Sequence, residues 1–75
     1  MNYQKLYDAL IANRRTQGRP QGYVEVHHIV PRSFGGSNDP TNLIPFTARE
    51  HFIAHRLLAK IYPNSGMTHA VVKMA

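Results

Sequence analysis

The chain has 75 residues, enough for one small domain, and at that size only about 60% of the unfolded chain's surface can be buried. It contains no cysteine, so neither a disulfide nor a thiolate zinc site can staple a thin core, and a histidine-bound metal is the staple the composition leaves. A formal charge of +5 and an isoelectric point near 10.1 favour a polyanionic partner; no apolar run of membrane-spanning length exists, and MNYQKLYDAL lacks a secretory core. A protein of the cell interior, without a membrane partner, is expected.

Tyr3, Leu6, Tyr7, Leu10 and Ile11 recur at helical spacing behind a candidate N-cap, Asn2, which predicts a packing helix over residues 1–16. Arg14, Arg15 and Arg19 then cluster around Gly18, Pro20 and Gly22, which suits either a solvated loop or an arm against phosphates. YVEVHHIV, residues 23–30, reads as a strand with Tyr23, Glu25 and His27 on one face and Val24, Val26 and His28 on the other. Pro31 stops it. Residues 33–42 (SFGGSNDPTN) are dense in turn formers, and Leu43, Ile44 and Phe46 form a short second strand interrupted by Pro45.

Thr47 and Glu50 stand in capping-box register and open a central helix expected to reach about Tyr62, before Pro63-Asn64. Ser65 can cap an expected last short helix over residues 65–75, with Met67, Ala70, Val71 and Met74 apolar. That helix runs off the chain without a stop, so a piece of something longer is expected. The whole is read as a single α+β domain, 1–75, with its core in residues 23–62.

Four of the five histidines fall between residues 27 and 55. His51 and His55 are one helical turn apart and project together, a common way to hold a divalent ion. Strand alternation keeps His27 and His28 from both facing that helix, so one can ligate while its neighbour meets solvent or substrate. A pair of helical histidines is more often satisfied by packing and hydrogen bonds. The added doublet, the strand-loop-strand-helix order and the basic charge tip the balance to a metal site.

HHIVPR, then GGSNDPTNL, then EHFIAH resembles the HNH nuclease family, whose ββα-metal fold is a two-stranded hairpin crossed by a helix. The likeness covers about residues 23–62 and is nearest to small bacteriophage HNH and homing-type endonucleases, which often begin with a Tyr-rich helix. It implies His27 and His51 as metal ligands, His28 as general base, Asn42 as the brace of the inter-strand loop, and His55 as the extra helical ligand of the colicin-type branch. Glu25 is placed as a support near the metal or the substrate phosphate.

Arg32, Arg49 and Arg56, with Arg14 and Arg15, form the expected nucleic-acid footprint; His69 is incidental. The resemblance implies hydrolysis of DNA, nicked or cut, in a bacterial host's cytoplasm if the gene is a phage's. The duplex would be read with little sequence specificity and bound less tightly as salt rises. One divalent ion is implied: magnesium or manganese in turnover, zinc or nickel as alternatives suited to imidazoles. Two rivals stay open. One is an inactive or truncated HNH remnant serving as a metal-stapled DNA-binding module; the other is a metal-stapled interaction domain without a nucleic-acid role. Oligomeric state is left open.

Overall fold

A computed structural model describes residues 1–63; the expected helix at 65–75 lies outside the described residues. The order is helix α1 (Tyr3–Gln17), strand β1 (Glu25–His28), two single 3-10 turns (Arg32–Phe34 and Pro40–Asn42), strand β2 (Leu43–Phe46) and helix α2 (Ala48–Ile61). This is an α+β hairpin-and-helix core with an extra N-terminal helix. Among the described residues, no helix is long and apolar enough to cross a membrane.

Both helices start where the sequence supplies oxygen to orphan amides. Asn2 Oδ1 accepts from the Lys5 amide at 3.0 Å. Thr47 Oγ1 accepts from the Glu50 amide at 3.1 Å while Glu50 Oε1 accepts from the Thr47 amide at 2.9 Å, closing the capping box. α1 ends at Gly18, whose φ of 76° suits a residue without Cβ. The apolar stripe of α1 is narrower than its spacing suggests: Tyr7 and Ile11 are buried, whereas Leu6 is exposed. α2 likewise buries only Ala54 and Leu58 fully, so its nearly all-round apolar surface is half covered.

β1 and β2 pair antiparallel, with Glu25 opposite Phe46, Val26 opposite Pro45, His27 opposite Ile44 and His28 opposite Leu43. A two-stranded sheet has only edges, which is where Pro45 is tolerated. β1 is four residues, shorter than the 23–30 expected. Past His28 the amides leave the ladder: that of Ile29 donates to the Asn42 carbonyl at 2.8 Å, and that of Val30 to Asn42 Oδ1 at 2.8 Å. The loop takes over where the strand stops.

The core joins three layers: Tyr7 and Ile11 from α1, Ile44 and Phe46 from β2, Ala54 and Leu58 from α2. Phe46 is wholly buried. Phe46→Ala should therefore cost about 3–5 kcal/mol. That is comparable to everything a core of this size supplies, so the variant is expected to melt without a plateau in a urea titration run free of metal.

Candidate metal centre and catalytic site

His27 sits on the inner face of the hairpin, 2% exposed, and His51 and His55 reach it from α2. One ring nitrogen from each of the three lies within 4.8 Å of the others. The rings stand edge to face, with centroids 5.2 Å apart for His27 and His51, 5.3 Å for His27 and His55, and 4.8 Å for His51 and His55. His27 also stacks on Phe46 at 5.3 Å, so the core holds its plane.

Proton accounting fixes the roles of the nitrogens. His51 Nδ1 is 2.7 Å from Glu25 Oε1, and a carboxylate only accepts, so Nδ1 carries the hydrogen and Nε2 the lone pair. Glu25 is held from its other oxygen by the Tyr23 hydroxyl. That bond, then the one from His51, lowers the Glu25 carboxyl below its ordinary range. Burial, with His55, His51 and His28 nearby, drives His27 down to about 3, so its ring is neutral. Burial and His51 lower His55 in the same way. Neutral imidazoles are the form a cation needs.

The donor set fits a divalent ion. His51 Nε2 and His55 Nε2 face each other at 3.1 Å, and nitrogens bound to zinc at about 2.0–2.1 Å in a tetrahedron stand about 3.3 Å apart. His55 Nδ1 is buried with no partner among the described residues, so the ring's polar anchor is the nitrogen turned to His51. A cation shared by these two nitrogens would take the place of the single hydrogen that otherwise lies between them. Of the three rings, His51 has a carboxylate behind it and His27 a phenol, while His55 has neither.

An open cleft of about 270 Å³ is bordered by His27, His28, His51, His55 and Arg32. His28 Nε2 is 2.8 Å from Asn38 Oδ1, an acceptor, which leaves the His28 lone pair on Nδ1. Among the described residues, the Asn42 side chain has its hydrogen bonds to backbone groups. Its Oδ1 accepts from the Val30 amide, and its Nδ2 donates to the carbonyls of Val30 at 3.1 Å and Ser37 at 2.9 Å. It therefore ties the loop ends together and positions the residues after His28. Gly36 lies so close that a Cβ there would fall 1.8 Å from the Val30 carbonyl oxygen, which fixes glycine at that position. Asn42→Ala should cost about 0.5–1.5 kcal/mol, since the bonds lost are exposed and water can replace them, and amide exchange at Ile29, Val30 and Gly36 should quicken more than in α1.

The arginines divide. Arg32 is at the cleft. Arg49 and Arg56 are exposed on α2, the latter with its guanidinium 5.9 Å from the Phe52 ring centre. Arg14, grouped above with the phosphate contacts, is spent inside the fold: its guanidinium donates to both Glu50 oxygens at 3.0–3.2 Å and to the Gly18 carbonyl. Burial pushes the Glu50 carboxyl up, but the bonds from Arg14 and the Thr47 amide outweigh it and the net shift is down. Arg15 donates to the Thr41 carbonyl at 3.1 Å. Two participants escaped the sequence reading. Asn38 passed as a turn former, and Tyr7 as part of an apolar stripe, although a buried tyrosine always needs a partner for its hydroxyl.

A hairpin crossed by a helix, with imidazoles from strand and helix converging, has the form of a ββα-metal domain. Residues 15–49 match the family model described as HNH endonuclease. "Probable mobile endonuclease E" of Enterobacteria phage T4 is 50% identical over 74 residues, covering 99% of this chain and 52% of that protein. From the same phage, "Probable mobile endonuclease D" is 48% identical over 75 residues, covering 93% of this chain and 29% of its own length. "Probable mobile endonuclease B" is 47% identical over 66 residues, covering 83% and 25%. By the family-model match and by identity across nearly its whole length, the chain is similar to the HNH endonucleases. It spans about half, or less, of the length of these relatives. No solved structure matches it significantly.

Proposed function

We propose that this domain hydrolyses phosphodiester bonds of double-stranded DNA, using one divalent ion held by His27, His51 and His55. The observation that carries the reading is the meeting of these three imidazoles with His28 and Arg32 around one cleft. The kinship with proteins named as probable mobile endonucleases supports the same substrate and a phage gene acting in the cytoplasm of a bacterial host. An ion so held supplies positive charge at the scissile phosphate and a Lewis-acid contact for the departing oxygen.

The chain's own groups divide the remaining work. His28, its hydrogen held on Nε2 by Asn38, takes a proton from the attacking water on Nδ1. The water oxygen bonds to phosphorus, the bond to the 3′ oxygen breaks, and that oxygen takes up a proton from solvent. Arg32 offers its guanidinium to a non-bridging oxygen, where charge accumulates. Glu25 holds His51 so that Nε2 faces the ion. Asn42 keeps the loop carrying Asn38 in register with the strand end. Three imidazoles suit zinc or nickel at rest, and hard phosphate oxygens favour magnesium or manganese in turnover.

The test is conversion of supercoiled plasmid to open circles with magnesium, manganese, nickel or zinc, beside an EDTA control. Ion-dependent nicking is expected. A folded protein that binds plasmid yet leaves it intact with every ion would refute hydrolysis and leave a DNA-holding module.

A further inference from the structure

Tyr7 lies in α1, before the segment that matches the family model, and its hydroxyl makes two contacts of 2.7 Å. One is to the Ile29 carbonyl oxygen, the other to His27 Nε2. A phenol has one hydrogen. A carbonyl can only accept, and two oxygens 2.7 Å apart with no hydrogen between them repel, so that hydrogen belongs to the Ile29 bond. The Tyr7 oxygen must then accept, and the donor is His27 Nε2–H. Tyr7 is 3% exposed, so no solvent competes for either contact.

We infer that Tyr7 is a positioning residue that locks His27 as the Nε2–H tautomer and so presents Nδ1, not Nε2, to the cation. The inference rests on the metal reading given above and adds which atom ligates and what selects it. His27 borders the cleft, and its Nδ1 has no hydrogen-bond partner among the described residues. The two rings with outer partners then bind through different nitrogens, Nδ1 from the strand and Nε2 of His51 from the helix. Outer-shell groups fix the tautomer of metal-binding imidazoles generally. Here that group comes from the N-terminal helix, which makes α1 part of the site and not only a cover for the core.

The tautomer is read in the metal-free full chain labelled with 15N-histidine, from long-range proton–nitrogen correlations, with His27 assigned by comparison with His27→Gln. Wild-type protein should show His27 protonated at Nε2. Tyr7→Phe keeps the ring and its packing, and circular dichroism checks the fold; it should give a mixture of tautomers and bind nickel at least about tenfold more weakly. Protonation at Nδ1 in the wild type overturns the inference. So does a Tyr7→Phe protein with unchanged tautomer or unchanged nickel affinity. If the wild-type ring is Nε2–H but neither nickel, zinc, manganese nor magnesium binds, the lock is sustained and the metal reading falls.

Discussion

His28→Ala is expected to slow plasmid nicking about 10²–10⁴-fold, the range a positioned general base contributes, while nickel binds as tightly as to the wild type. The separation follows from the hairpin. His28 is one residue past His27, so its side chain leaves β1 on the other side, and it is not among the three rings whose nitrogens converge. Its ring bonds to Asn38, outside the core. Truncating it removes a proton acceptor without opening a cavity beside Phe46 or disturbing Glu25. The measurement is an initial nicking rate at saturating ion, paired with a nickel isotherm. Loss of rate together with loss of nickel would make His28 a ligand and end its assignment as base. Nicking at the wild-type rate would do the same from the other side. Asn38→Ala should lie between, since it frees the ring to take either tautomer but leaves the imidazole in place.

The features legible in the sequence are those that neighbours along the chain decide. Asn2, the Thr47–Glu50 box and the end of α2 near Tyr62 follow from local hydrogen-bonding chemistry, and the helix bounds fall within a residue or two of it. The i, i+4 spacing of His51 and His55 suffices to bring their rings together. What stayed hidden depends on partners far along the chain. Arg14 reads as a cation awaiting phosphate until Glu50, 36 residues away, is seen to claim it. Tyr7 reads as core until Ile29 and His27 are found against its hydroxyl. β1 reads as eight residues because YVEVHHIV is β-prone throughout. Its C-terminal end is set instead by Asn42, which captures the Ile29 and Val30 amides. Glu25 lies between these cases: its place near the histidines is implied by the resemblance, its bond to His51 is not.

Nickel or zinc should raise the melting temperature strongly, and His51→Ala should abolish the rise. At a thousandfold excess over Kd, a ligand bound only by the folded state adds about 4 kcal/mol. For a domain of this size each kcal/mol moves the midpoint by about 4–8 °C, so a shift of about 15 °C or more is expected. His51 is the ring to remove because both its nitrogens are committed, Nδ1 to Glu25 and Nε2 to the meeting point with His55. It is also only partly buried, so alanine there disturbs the core less than at His27. Acid should act through the same rings. His27 is lowered in the folded state to about 3 against an ordinary 6.5, so the unfolded chain takes up its proton first. Stability from this ring is intact above 6.5, falls as the pH drops below that value, and is fully lost near 3. Because folded His27 keeps its lone pair until the pH nears 3, the ion-induced shift should persist from pH 7.5 to pH 5 in the wild type and stay absent in His51→Ala. A shift that survives in His51→Ala at pH 7.5 would place the ion elsewhere, because His27 and His55 supply only two of the three converging nitrogens.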